Sequence, residues 1–223
     1  MLSEMTDSTR LALSIRRHAL RMVHGARASH IGSCLSIADI VAVLYNDFLR
    51  IDPAQPAWPD RDRFILSKGH AAAIVYAVLA ERGFFDVALL DHYCEDGSVL
   101  AGHVSHHVPG VELSTGSLGH GLSVGCGIAL AGKRAGLRYR VVVQLSDGEL
   151  DEGSNWEPIL FAPQHALDNL VAIVDYNKIQ SFGSVESILD LAPLAEKWRA
   201  FRWAVREIDG HDHADIARAL REV

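Results

Sequence analysis

Two runs, RVVVQL at 140–145 and NLVAIVD at 169–175, constrain this chain more than any other feature. Each is apolar throughout instead of alternating, as a strand is when both of its faces are covered. The segment between them is long enough for a helix, and a strand–helix–strand unit of that kind closes as a parallel pair. A third short run, FILS at 64–67, reads as another buried strand. The chain is therefore expected to be one α/β domain over residues 1–223, with a mostly parallel central sheet flanked by helices.

The rest of the chain supplies the helices. Apolar residues at helical spacing (Leu11, Leu13, Ile15, Ala19, Leu20, Val23) predict a first helix over 8–25. SHIGSCLS reads as a polar turn and IADIVAVLYNDFL as a second helix, ended by the three prolines of RIDPAQPAWPDRDR. AAAIVYAVLAERG is a small-residue helix. From Asp91 to Ser117 glycines and histidines abound without periodicity, which reads as a long functional loop. LGHGLSVGCGIALAGKRAG is a helix whose glycines and alanines imply close packing. A helix near 190–200, a strand WAVREI and a terminal helix from about Asp212 complete the pattern.

Composition excludes some functions. A net charge of −7 without a basic block argues against a general nucleic-acid binder. No run of about 18 apolar residues predicts a membrane span, and MLSEMTDSTR has no leader pattern. Cys34, Cys94 and Cys126 are odd in number and lack metal-ligand spacing, so a reducing cytoplasm and three core thiols are expected.

The strand ending at Ser146 is followed at once by Asp147, Glu149, Asp151 and Glu152. Like charges that close repel, so either water screens them or something positive sits there. In an open parallel sheet, ligands bind beyond the carboxyl ends of the strands, where SDGELDEG, VDYNKIQ and LSKGH all fall. Asp147 and Asn177, thirty residues apart, are on consecutive strands; with a backbone carbonyl they make hard oxygen ligands suited to Mg²⁺ or Ca²⁺. Gly148 lets the backbone approach a phosphate. Taken alone, these residues could equally be a cap and a turn.

The ensemble says more. SDGELDEG followed by LDNLVAIVDYNKI resembles the thiamine diphosphate motif, and SHIGSCLS, RDRFILSKGH, PGVELSTGSLGHGLSVGCGIALA and IDGHD resemble successive segments of the N-terminal, diphosphate-binding half of transketolase. They occur in the family's order over nearly the whole chain, and PGVELSTGSLGHGLS is most similar to split transketolases whose halves are separate polypeptides. The resemblance implies the three-layer thiamine diphosphate-binding fold.

It also implies roles. Asp147, Asn177 and the carbonyl of Ile179 would hold the divalent cation, Mg²⁺ or Ca²⁺, and Gly148 the diphosphate. Gly116, Ser117 and Leu118 match the loop around the cofactor. Glu152 and Glu157 match carboxylates linking paired sites across a homodimer interface formed by 116–130 and 152–167. Glu149 and Asp151 are left as solvated acids. His30, His70 and His103 match histidines at the reacting carbon and substrate oxygens, where a group titrating near neutrality can donate and accept protons. His106, His107, His120 and His211 are expected to be surface or loop residues.

The implied activity moves a two-carbon ketol unit from a ketose phosphate to an aldose, within carbohydrate metabolism. The family draws a glutamate from its pyrimidine-binding half, for which this sequence has no second α/β unit. A separate C-terminal partner subunit, flanking a homodimer core as a heterotetramer, is therefore expected. Four departures stand out: Ser146 for the first glycine of the motif, Ile31 for proline, Pro158 for alanine, and an end at Val223 short of a further strand and histidine-bearing loop. They leave open a non-sugar, carrier-bound acceptor, or a degenerate non-catalytic subunit.

Overall fold

The computed structural model describes residues 6–223. In chain order the elements are α1 (Asp7–Gly25), α2 (Ile31–Ser36), α3 (Ala38–Val43, running on as a π-turn over Leu44–Phe48), β1 (Arg63–Leu66), α4 (Ala72–Glu81), α5 (Gly121–Ala135), β2 (Val141–Ser146), α6 (Trp156–Gln164), β3 (Leu170–Asp175), β4 (Ile179–Gln180), β5 (Gly183–Ser184), α7 (Val185–Ile188), α8 (Leu194–Ala200) and α9 (His213–Arg221). They fall into two compact units. One comprises the residues up to Arg61, Gly69–Gly116 and Ile208–Val223; the other Asp62–Lys68 and Ser117–Glu207.

The first unit is helical. Thr6 caps α1 by accepting the N–H of Thr9; of the predicted apolar set Ile15, Ala19 and Val23 are buried, beside Ala12 and Met22, while Leu20 turns out to solvent. The buried face packs on α3 and α4. Both are buried on every side, α3 from Ala38 to Val43 and α4 from Ala72 to Ala80, so they are the interior of this unit. Long loops follow over 94–116, apart from a 3₁₀ turn at Val87–His92 before them. Asp39, on α3, is buried and receives Arg16, His211 and His213, which ties α9 to α1 and α3.

The second unit holds the sheet. β1, β2 and β3 are parallel in that spatial order, with Val141 opposite Arg63 and Leu170, and Ser146 opposite Asp175. β2 is central and every residue in it is buried, which is why its sequence does not alternate. α5 lies on β2 so closely that a Cβ on Gly125 would come within 2.6 Å of the Val143 side chain.

Three expectations fail. The stretch 29–36 is not a turn: α2 starts at Ile31 after His30 takes a left-handed conformation, φ 71. WAVREI forms no strand: it has no ladder partner among the described residues. Cys34 and Cys126 are core thiols, but Cys94 is exposed, carried into a loop at φ 61.

Candidate active site

The chemistry-bearing residues assemble in two places, one in each unit. In the sheet unit the place is the carboxyl end of β2 and β3. β2 ends at Ser146, and the chain turns into a short 3₁₀ helix over Gly148–Asp151. Asp147, at the corner, is only 1 % exposed. Its Oδ1 accepts the N–H of Gly148 at 2.8 Å and its Oδ2 that of Lys178 at 2.7 Å, while its own N–H donates to the carbonyl of Asp175. Asn177, just past β3, donates through Nδ2 to Asp175 Oδ2 at 3.0 Å and accepts the N–H of Ile179 on Oδ1 at 2.9 Å. The side chain of Gln180 lies over Gly148, 3.0 Å from where a Cβ would stand. Asp147, Gly148, Asn177 and Ile179 are thus brought together by hydrogen bonds and contacts through 175, 178 and 180.

Glu149 is not the solvated acid expected. It is fully buried, accepting from the Ser67 hydroxyl, from Gly119 N–H at 2.9 Å and from Ser146 N–H at 3.3 Å. Ser67 in turn accepts the N–H of Gly121, the first residue of α5. Asp151 is not solvated either: Oδ2 accepts from Gln180 and Oδ1 is a buried oxygen without a hydrogen-bond donor. The reason is tertiary, since donors from β1, the 119 loop and the β4 turn all reach these carboxylates. Glu152 and Glu157 are exposed in the single chain.

The electrostatics of this end are lopsided. Burial pushes the Asp147 carboxyl up, against the N–H bonds of Gly148 and Lys178 that stabilise the anion, and the nearby Asp175 pushes it further. Burial likewise raises Glu149, against its hydrogen bonds. Lys68 is completely buried and lies 2.6 Å from Asp175 Oδ2. Among the described residues it is the one buried basic side chain, facing three buried carboxylates: Asp147, Glu149 and Asp175. The buried carboxylates thus outnumber the one buried base. A divalent cation would offset them, and Asp147, Asn177 and the Ile179 carbonyl are an all-oxygen set of the kind Mg²⁺ or Ca²⁺ takes. The residues present therefore fit a divalent cation.

The departures at this end are accommodated. Ser146 has no positive φ, and its hydroxyl accepts the Glu149 N–H at 3.3 Å. Pro158 falls in the first turn of α6, where backbone N–H groups have no partner within the helix. Ser117 and Leu118, in the loop before α5, are held by His120, whose Nδ1 donates to both carbonyls. Gly119 in the same loop has φ +85, and a Cβ there would also strike Ser154 Oγ at 2.4 Å, so only glycine serves.

In the helical unit, His30, His70 and His103 come together from distant points of the sequence. The His30 ring lies 5.0 Å from that of His70 and 6.0 Å, edge-on, from that of His103. His70 Nε2 is 3.0 Å from the hydroxyl of Ser33, and the carbonyl of His103 accepts from Tyr76. Gly116 sits against the His103 ring, whose Cδ2 would be 3.1 Å from an added Cβ. Partial burial, and then the charge of His103, lower the His30 pKa. Ile31 stands at the first position of α2, where proline is also favoured, so the replacement leaves the helix start in place.

Sequence reasoning did not find Ser33, Ser67, Lys68 or Asp175. Ser33 follows His30 by three residues, a helical interval that was available as a signal. The others show themselves only through burial and long-range pairing.

The family model described as the transketolase thiamine diphosphate binding domain matches residues 7–223. An apulose-4-phosphate transketolase subunit from Phocaeicola vulgatus is 41 % identical over 208 residues, covering 93 % of this chain and 74 % of that protein. The 6-deoxy-6-sulfo-D-fructose transketolase subunit SqwG of a Clostridium species is 40 % identical over 223 residues, covering 100 % and 81 %. The solved transketolase of Campylobacter jejuni superposes with a TM-score of 0.93 at 32 % identity, covering 98 % of this chain and 36 % of that one. The chain thus spans about a third of the length of such solved transketolases.

Proposed function

This chain belongs to the transketolase family, and on that premise we propose that it is the diphosphate-binding subunit of a thiamine diphosphate-dependent transferase. The observation that carries the reading is the cluster of buried carboxylates Asp147, Glu149 and Asp175 beside a single buried lysine, at the carboxyl end of β2 and β3. The reaction is ketol transfer: two carbons leave a ketose phosphate and join an aldose. We assign the chain one domain, following the continuous match over 7–223.

When bound, the cofactor supplies a carbon nucleophile able to store the electron pair of a broken C–C bond. The chain's own residues bind and orient. Asp147, Asn177 and the Ile179 carbonyl hold the cation, Mg²⁺ or Ca²⁺; Gly148, which has no side chain to keep a phosphate away, and the loop of Gly116, Ser117 and Leu118 receive the cofactor. His30, whose pKa partial burial and then the charge of His103 lower, accepts a proton from a substrate hydroxyl, while His70 and His103 donate to oxygens that become charged. Ser33 fixes the His70 ring for that task.

The partner is a separate pyrimidine-binding subunit. Two relatives are themselves named as subunits, which supports it. A homodimer core, making a heterotetramer, is supported by Leu160 and Phe161 on α6 and Val124 on α5, which leave 59 %, 38 % and 36 % of their area exposed; Glu152 and Glu157 lie in the same region. No helix among the described residues is long and apolar enough to cross a membrane. The buried free thiols Cys34 and Cys126 support a reducing cytoplasm.

The test is reconstitution. This chain and the product of the adjacent gene are purified separately and mixed with ketose phosphate donors and aldose acceptors. The proposal predicts ketol transfer by the mixture alone, abolished by Asp147→Ala. A formed complex that turns over no donor with any acceptor, carrier-bound thiols included, would leave a non-catalytic subunit.

A further inference from the structure

We propose that Asp175, pinned by the buried Lys68, is the positioning residue that sets the geometry of both cation-binding side chains, Asp147 and Asn177. The inference rests on reading those two as ligands and goes beyond it to the residue behind them. Asp175 closes β3 and is 7 % exposed. Its carbonyl accepts the Asp147 N–H at 3.1 Å, which fixes where the corner after β2 begins. Its carboxylate oxygen Oδ2 accepts both Lys68 Nζ at 2.6 Å and Asn177 Nδ2 at 3.0 Å.

The amide of Asn177 is thereby left one orientation. Asp175 Oδ2, which also receives Lys68 Nζ, accepts here, and a backbone N–H only donates. With Asp175 on one side and Ile179 N–H on the other at 2.9 Å, Nδ2 must face Asp175 and Oδ1 the turn. Oδ1 keeps a second lone pair for a cation. Were Asp175 absent, the amide could rotate and present its NH₂, which repels a cation. Lys68, completely buried, pins the Asp175 side chain through Oδ2 at 2.6 Å. Partners that orient a ligand in this manner typically change metal affinity by about 10–100-fold.

The test is Mn²⁺ binding, read from the paramagnetic resonance of the free ion, on the full chain co-purified with its partner subunit and saturated with thiamine diphosphate. Because Asp175→Asn alone would strand a buried lysine charge, the variant used is the pair K68M/D175N, which removes both charges. It is combined with Asn177→Ala in a cycle, and circular dichroism checks each fold. Expected are a loss of about tenfold in Mn²⁺ affinity for the pair, a loss at least as large for N177A, and no further loss when the two are combined. Unchanged affinity in the pair would overturn the proposal. So would losses that multiply, as independent structural damage gives. If the unaltered complex bound no Mn²⁺, the ligand reading itself would fall, a result distinct from a binding complex that is indifferent to the pair.

Discussion

The backbone N–H of Lys178 donates to Oδ2 of Asp147 at 2.7 Å, joining the tips of two adjacent strands. The parallel register sets this up, since Ser146 lies opposite Asp175 and the next residues leave the sheet side by side. Ligands gather at such an end because both chains turn away there and leave polar backbone and short side chains facing a crevice. The crowding of acids at a strand tip resolves through this bond and its neighbours. Asp147 and Glu149 are buried, held by N–H and O–H donors, and short of positive charge.

Glu149 should act as a clamp. Glu149→Ala leaves the donors Ser67 Oγ–H, Gly119 N–H and Ser146 N–H without their acceptor in a buried place. We expect a loss of about 3 kcal/mol in urea unfolding. Amide exchange at Gly119 and Gly121 should quicken together. Unaltered protection at both would show that the 119 loop is held by something else.

Asp39 predicts an acid-dependent loss of stability. Burial alone would raise its carboxyl, but the hydrogen bonds from Arg16, His211 and His213 outweigh it and hold the group well below the usual carboxylate range. A carboxyl with a depressed folded pKa stabilises fully above its unfolded value of about 3.9, and the contribution is lost as pH falls through the folded value. Asp39→Asn should cost about 2–3 kcal/mol at pH 7. That is less than the ~3–5 of a fully buried pair, because 27 % of the Arg16 side chain is exposed. The gap between variant and parent should narrow below about pH 4. A gap that stays constant down to pH 2 would contradict it.

His30 predicts a coupling between histidines. Burial, and then the charge of His103, lower its pKa. His103→Ala removes the second cause and should move the His30 titration, followed by its ring proton resonance, part of the way up. The sign for stability follows. A base with a lowered folded pKa binds fewer protons than it does unfolded, so this contribution declines as pH drops through about 6.5. The variant should decline less. A His30 titration unmoved by the substitution would contradict the coupling.

Much of this was legible in the residues. β2 and β3 announce themselves because a strand covered on both faces has no polar alternation to hide it, and α1 because its buried face repeats at helical spacing. His30, His70 and His103 were readable only as a resemblance, since no local rule brings residues so far apart into ring contact. α2 was missed because its start depends on a left-handed histidine. WAVREI has the composition of a strand, but a strand exists only with a partner, and sequence does not count partners. Glu149 and Lys68 were opaque for a related reason. A charged residue reads as exposed until its partner is known, and theirs lie 82 and 107 residues away.

The most direct measurement is a calorimetric titration of thiamine diphosphate, with and without Mg²⁺, into the complex of this chain with its partner subunit, beside the same complex carrying Asp147→Ala. The account predicts saturable binding that requires the cation and disappears in the variant while the complex stays assembled. Cofactor binding that is indifferent to Mg²⁺ and to Asp147, or no binding by an assembled complex, would contradict it.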